Sequence, residues 1–396
     1  MALPVEALDF ELPERLLATE PAEPRDSARL MVYDRARDEV GHHRVRDLPD
    51  LGVLGADDLV VVNDTRVAPA YLAAVRTGTG GRVTGLVLAH DVEAEPAALE
   101  VLLESRGKLQ VGERLDLVAA QGTADAGDAA AALELEASVG PGKWRARVVV
   151  GTVDDVHALG GTPLPPYIRK RRKQMGRDEA TADDASRYNT VFAQADAGAA
   201  RSAAAPTAGL HFTDELLARL PCARASVTLH VGQGTFAPVR VADVDDHAIH
   251  AEMIDVSAAT CEAIAKCRAA GGKVFCVGTT TVRALESLPG GGVGGGAGGE
   301  PGPLGLGLNM TPQAYAGPTE LFITPTRVAL PAGHPDRFVF RFTDRLMTNF
   351  HLPRSTLLAM VASLPGVSVE RLLTLYDEAI GEGYRFYSYG DAMLIV

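Results

Sequence analysis

Side chains that can move protons or hold a charged ligand gather in seven short runs: NDTR (63–66), APTAGLHFT (205–213), TLHVGQGTF (228–236), DDHAIHAE (245–252), VGTTTVRALES (277–287), TNFHLPRST (348–356) and YGDAML (389–394). His211 and His351 each stand beside a tight turn, where an imidazole serves either as an acid/base group or as a buried residue satisfied by a backbone group. His247, His250 and Glu252 have an H-x-x-H spacing without a matched third ligand, so no metal site is expected. In VGTTTVR the hydroxyls of Thr279 and Thr280, and Arg283, follow an apolar run at the start of a helix. Free N–H groups there suit a carboxylate as well as a phosphate. Gly232 and Gly234 supply only a G-x-G, the weakest form of a dinucleotide fingerprint, and neither a Walker A run nor G-x-S-x-G occurs.

The elements that must position these groups are legible from periodicity. LVVVND (59–64) reads as a buried strand that runs out at a polar edge. YLAAVRTG, GRVTGLVLAHDV, LEVLLES, RLDLVAA and KWRARVVV follow as short strands, so a small β-barrel is expected over residues 70–155, with AAQGTADAGDAAAALE (119–134) as a surface loop within it. From PLPPYI (163–168) onward helical and strand patterns alternate. Thr213, Ser257, Ser355 and Ser368 are expected as helix N-caps, ASVTLHV and KVFCVGTT as strands, and YRFYSYGDAMLIV as strand, turn, strand. Residues 290–308 are too glycine-rich to bury apolar area and read as a mobile loop. The fold class is an α/β main domain (1–69 and 156–396) with an inserted small β-barrel domain (70–155).

Composition narrows the function classes. The net charge of −13 disfavours nonspecific nucleic-acid binding, but RKRRKQMGR (169–177) puts six basic side chains in nine residues. That run is either a solvated loop or a contact for a phosphate backbone. No apolar stretch long enough to span a membrane occurs and the first residues lack signal-peptide order, so a cytoplasmic protein is expected. Cys222, Cys261, Cys267 and Cys276 show no zinc or CxxC spacing and read as reduced, mostly buried thiols.

Taken in order, NDTRVAPAYL, PLPPYI, RYNTVFA, AAPTAGLHFT, TLHVGQGTFAPV, HAIHAE, VGTTTVRALES, TELFITP, TNFHLPRSTLLAMV and YRFYSYGDAMLI resemble the S-adenosylmethionine:tRNA ribosyltransferase-isomerase family of queuosine biosynthesis over nearly the whole chain. The resemblance implies that the ribosyl group of S-adenosylmethionine is transferred to 7-aminomethyl-7-deazaguanine at the wobble position of tRNA. There it is isomerised to an epoxycyclopentane, giving epoxyqueuosine-tRNA, adenine and methionine. S-adenosylmethionine is then a co-substrate, no metal or redox cofactor is implied, and the protein is expected to be a monomer without a membrane partner.

That chemistry needs a base, a donor to adenine and anchors for the methionine ends. His211 or His351, with Asp64, is the catalytic candidate; Arg283 or Arg354 would meet the methionine carboxylate. Asp64, Glu252 and Asp391 would hold the ammonium or the ribose hydroxyls. Arg66, Thr207, Gly209, His230, Thr279, Thr280 and Asn349 complete the substrate site, with Gly209 letting the backbone approach a ligand. Arg169, Arg171, Arg172 and Lys173 would touch tRNA. The chain departs from the family's pattern at Arg201, Ala203, Asn189 and Ala237. These changes keep two alternatives open: a paralogue that transfers the ribosyl group to a small-molecule amine, and a non-catalytic RNA-binding protein.

Overall fold

The computed structural model of the chain describes residues 2–91, 97–123, 130–195, 200–232, 239, 241–289, 312–334 and 336–396. The glycine-rich run 290–308, Gly234 and Ala237 lie outside the described residues, as does the Arg201 side chain. Two compact units emerge: Met1–Thr65, Thr190–Ala193 and Pro206–Val396 form the first, and Arg66–Asn189 with Gln194–Ala205 the second.

The first unit opens with β1 (Arg29–Asp34), β2 (Glu39–Arg44) and β3 (Leu59–Asn63). The second unit then supplies β4 (Arg66–Val67), β5 (Tyr71–Arg76), β6 (Arg82–Asp91), β7 (Ala98–Ser105), β8 (Arg114–Val118), β9 (Ala132–Gly140) and β10 (Lys143–Val150). It continues with α1 (Val153–Leu159), α2 (Pro166–Gln174), α3 (Asp184–Arg187) and β11 (Ala200–Ser202). The chain returns to the first unit for α4 (Asp214–Arg219), β12 (Ala223–Leu229), β13 (Glu252–Val256), α5 (Ala258–Ala269), β14 (Val274–Val277) and α6 (Thr279–Glu286). β15 (Tyr315–Thr319), α7 (Pro325–Ala329), β16 (Arg345–Asn349), α8 (Thr356–Ala362), α9 (Val369–Gly381) and β17 (Ala392–Ile395) complete it.

The first unit is built on a nine-stranded mixed sheet in the order β15-β13-β12-β3-β14-β16-β17-β1-β2. Its centre, β12-β3-β14-β16, is parallel. Every residue of β3 and β14 is buried, which is why LVVVN and VFCV read as unbroken apolar runs rather than alternating ones. Parallel pairing sets the carboxyl ends of four strands side by side, at Asn63, Leu229, Val277 and Asn349, the edge where such sheets present ligand-binding groups. Val60, Val62, Phe212, Leu216, Phe275 and Met347 form part of the buried core against this sheet. The expected caps are present: the hydroxyls of Thr213, Ser257, Ser355 and Ser368 accept from the N–H groups of Leu216, Thr260, Leu358 and Arg371.

In the second unit six antiparallel strands pair in the order β10-β7-β6-β5-β8-β9, and β9 pairs back onto β10. Their inward side chains, among them Leu72, Val83, Val101, Leu115, Leu133 and Ala146, make this unit's core. The end of the run read as a surface loop is strand: β9 begins at Ala132, because Leu133 and Leu135 are needed inside. Asn189 is bound at both ends, its Oδ1 accepting from Val67 N–H and its Nδ2 donating to the Ala185 carbonyl.

Two further expectations are corrected. RKRRKQ is the body of helix α2 rather than a solvated loop. Within it Arg172 is 1% exposed and makes two hydrogen bonds, of 2.7 and 2.9 Å, to the equally buried Asp184. Arg169 is buried with its guanidinium 3.6 Å from the centre of the Tyr71 ring. Both arginines are held by the protein interior, so of the four expected phosphate contacts only Arg171 and Lys173 remain at the surface, beside Lys170. Nor do residues 384–390 form a strand, since Tyr387 has φ 76° and Arg385 folds back onto Asp391; only β17 follows.

Candidate active site

Asn63, the last residue of β3, is fully buried and uses its whole amide. Its Oδ1 accepts from Thr65 N–H (3.1 Å) and Leu229 N–H (3.0 Å), and its Nδ2 donates to the Leu229 carbonyl (3.0 Å) and to Thr280 Oγ1 (3.2 Å). One side chain therefore ties the ends of β3 and β12 to the first turn of α6. The sequence signal for it was the polar residue closing a wholly apolar run, yet Asn63 was not among the expected site residues. Beside it Asp64 accepts from Thr228 Oγ1 at 2.7 Å, and Thr65 Oγ1 lies 3.0 Å from His230 Nδ1.

A cleft opens next to this edge. Thr279, Thr280 and Thr356 supply hydroxyls, His247 and His250 imidazoles, and Ile249, Phe322, Leu357 and Met360 an apolar side. Helix α6 enters it after Gly278, whose φ of 90° lies where other residues are strained, and no side chain caps this helix. The first-turn amides thus present a partial positive charge toward the polar side of the cleft. Glu252 and Arg283 also line it and pair with one another. Glu252 accepts as well from Gly232 N–H at 2.7 Å, and Arg283 Nη2 donates to the carbonyls of His250 (3.0 Å) and Thr319 (3.1 Å). Arg283 is therefore committed to Glu252 and two carbonyls, not open for bidentate capture of a carboxylate, although its Nε has no hydrogen-bond partner among the described residues. Burial of His247, with the neighbouring His250, lowers its pKa and favours the neutral ring.

The expected catalytic pair lies elsewhere in the same unit. His211 ends the short helical turn 207–211 and is buried, its Nε2 3.3 Å from Asn349 Nδ2, which also donates to the Tyr387 carbonyl. Burial holds its pKa down, to about 4. His351 is buried with Nε2 2.9 Å from Thr348 Oγ1, and burial holds it down to about 3. Both are neutral rings packed into the fold. The reading of Gly209 as an approach for a ligand is also replaced, because a Cβ there would meet the Phe192 ring at 2.5 Å and Thr190 Cγ2 at 2.9 Å. Packing explains this glycine, and the half-buried Thr207 starts the same turn.

Of the remaining candidates, Asp391 is buried and accepts from Arg29 N–H (3.1 Å), Arg385 N–H (2.8 Å) and Arg385 Nη2 (3.1 Å), which leaves little of it for an ammonium. Arg354 is exposed and paired with Asp9, outside the cleft lining. Arg66 belongs to the second unit, where it donates to the Gln194 carbonyl at 3.3 Å. The structure brings together Glu252, Thr279, Thr280 and Arg283 around the cleft, joins His230 to them through Asn63 and Leu229, and adds His247 and His250. Among the described residues no group of three His, Cys, Asp or Glu side chains is placed to hold a metal.

The chain is similar to known proteins over nearly its whole length. The family model described as queuosine biosynthesis protein matches residues 5–395. An S-adenosylmethionine:tRNA ribosyltransferase-isomerase of Xanthobacter autotrophicus is 39% identical, covering 99% of this chain and 98% of the relative. A protein of the same name from Gloeobacter violaceus is 43% identical over 99% of this chain and 95% of its own. The crystal structure of an S-adenosylmethionine tRNA ribosyltransferase from Thermotoga maritima matches 98% of this chain and all 100% of its own at 27% identity, with a TM-score of 0.48. With the family match running from residue 5 to 395, this chain belongs to the queuosine biosynthesis protein family.

Proposed function

We propose that the chain is an S-adenosylmethionine:tRNA ribosyltransferase-isomerase. It moves the ribosyl group of S-adenosylmethionine onto 7-aminomethyl-7-deazaguanine at the wobble position of tRNA and rearranges it to epoxyqueuosine, releasing adenine and methionine. The observation that carries this reading to particular residues is the cleft at the carboxyl edge of β3, β12 and β14, apolar on one side and bounded by the uncapped start of α6 on the other.

In this reading the methionine carboxylate lies on the α6 first-turn amides, with Thr279 and Thr280 beside it, in place of Arg283 or Arg354. Phe322 and Met360 offer the purine an apolar face. The carbon next to the sulfonium loses a proton, and the purine leaves with the electrons of its bond to the sugar. The imidazoles of the cleft, His247 and His250, replace His211 and His351 as candidates for the base, since a base must reach the proton it removes. The paired strands β5–β10 are an inserted small barrel domain, and Lys170, Arg171 and Lys173 on α2 meet tRNA phosphates. The enzyme works in the cytoplasm as a monomer, with no resident cofactor.

The test is mass-spectrometric. Purified protein is incubated with S-adenosylmethionine, with and without tRNA carrying the 7-aminomethyl-7-deazaguanine base, and scored for adenine, methionine and the mass of the nucleoside. Adenine release that depends on this tRNA, with the ribosyl mass added to the base, is the expected result. S-adenosylmethionine consumption with a small amine and an unmodified tRNA would replace the acceptor.

A further inference from the structure

We infer that His247, and not His250, is the base that removes the proton from the sugar carbon bonded to the sulfonium, its ring held for that task by Phe322 and the turn 244–246. The inference rests on the function proposed above and narrows it to one residue. Both histidines line the cleft, and they differ in how they are held. His250 is exposed, and the group it commits to the fold is its carbonyl, which accepts from Arg283 Nη2. His247 is half-buried, with its ring centroid 6.0 Å from that of Phe322 and the two planes 63° apart, edge against face. Phe322 is itself buried, so the imidazole rests on a fixed surface. The backbone beneath it is pinned step by step. His247 N–H donates to the Val244 carbonyl at 3.1 Å and Val244 N–H to the Leu3 carbonyl at 2.9 Å, while the Asp243 carboxylate caps the turn by accepting from Asp245 N–H at 3.0 Å.

Among the described residues the His247 ring has no hydrogen-bond or ion-pair partner. The nearest carboxylate in sequence, Asp245, accepts from Thr324 Oγ1 at 2.6 Å and from Thr326 Oγ1, with Arg327 Nε 3.8 Å away. Glu252, the carboxylate among the cleft residues, is paired with Arg283. Burial and the neighbouring His250 both favour the uncharged imidazole. A neutral ring that owes neither nitrogen to the protein keeps a lone pair for the substrate. Neutrality serves the reaction twice, because only the unprotonated ring accepts a proton and an imidazolium would repel the sulfonium. In the step itself the C–H bond breaks, its electron pair stays on the carbon beside the sulfonium, and a His247 ring nitrogen takes the proton. The resulting imidazolium gives that proton to the purine, which leaves with the electron pair of its bond to the sugar, and the ring is neutral again.

The experiment measures tRNA-dependent adenine release by the full-length protein and its variants, with ordinary S-adenosylmethionine and with the same compound deuterated at the sugar carbon bonded to sulfur. Expected for His247→Ala is a kcat loss of ~100- to 10,000-fold with KM for S-adenosylmethionine within ~3-fold of wild type. The deuterium effect on kcat should grow in this variant, because proton removal then limits turnover, and added imidazole should restore part of the rate. Loss of packing alone would produce neither response. His247→Gln fills the space without a basic nitrogen and should show the same kcat loss, so the result stands if the alanine variant does not fold. His250→Ala should stay within ~10-fold of wild type. A wild-type protein that releases adenine while His247→Gln does so within ~3-fold overturns this inference alone. A larger loss for His250→Ala than for His247→Ala does the same, as does a deuterium effect unchanged in His247→Ala. A wild-type protein with no adenine release overturns the proposed function and this inference with it.

Discussion

Acid should destabilise this protein through two imidazoles, and removing one should return a calculable part of the loss. Unfolded, each ring titrates near 6.5; folded, burial holds His211 to about 4 and His351 to about 3. Between those values the unfolded chain binds the proton and the folded one does not. Stability is thus fully present above 6.5 and falls as the pH drops toward 4 and 3. Integrating that difference from pH 7 to pH 5 gives a loss of about 2 kcal/mol for each ring, about 4 kcal/mol for the pair. His351→Gln removes the titration and keeps a hydrogen-bonding group for Thr348 Oγ1, the present partner of His351 Nε2. Urea unfolding of both proteins at pH 7 and pH 5 reads the effect, since contributions from other groups such as the buried Glu286 cancel between wild type and variant. The variant should lose about 2 kcal/mol less than wild type on acidification. An equal loss in the two proteins would refute the claim that His351 is a neutral, buried ring.

Gly278→Ala forces a side chain into a backbone conformation of φ 90° at the start of α6, so KM for S-adenosylmethionine should rise about 10-fold with the overall fold kept, as read by initial rates and circular dichroism. Arg283→Met removes the ion-pair partner of the buried Glu252 and should cost about 3–5 kcal/mol in urea unfolding at pH 7, and Arg283→Lys should not restore it because the guanidinium reaches Glu252 and the two carbonyls from two separate nitrogens, Nη1 and Nη2, which a single ammonium does not reproduce. Arg172→Met should destabilise by a similar ~3–5 kcal/mol through the stranded Asp184. Lys170→Glu with Lys173→Glu should instead cost about 1 kcal/mol or less, through the exposed Lys173–Glu179 pair, while weakening tRNA binding and flattening its salt dependence, measured by filter binding across a salt series.

Local features were readable from the sequence because their causes are local. The caps at Thr213, Ser257, Ser355 and Ser368 each depend on an N–H three residues away, and β3 and β14 announce themselves as buried runs. The polar runs at the ends of these strands were found for the same reason, and four of the expected residues, Glu252, Thr279, Thr280 and Arg283, line the cleft. What stayed hidden was who pairs with whom. Arg283 looks like an anion receptor until β13 brings Glu252 to it, and Arg172 looks like a phosphate contact until Asp184 closes on it from α3. His211 and His351 carry the right chemistry in an open turn, but only tertiary packing reveals that both are sealed and neutral. Asn63 marked the polar end of its strand but was not among the expected site residues, because an amide at a strand end matters through Leu229 and Thr280, neither of which is near it in sequence.

Hydrogen-exchange mass spectrometry of the wild-type protein, with and without saturating S-adenosylmethionine, would show whether the cleft beside α6 holds this substrate. Slowed exchange is expected in peptides covering residues 226–232, 247–253, 277–283 and 356–360, which carry the Asn63 partners, the cleft histidines, the start of α6 and the apolar wall. Binding of S-adenosylmethionine with unchanged exchange in all four segments would contradict it.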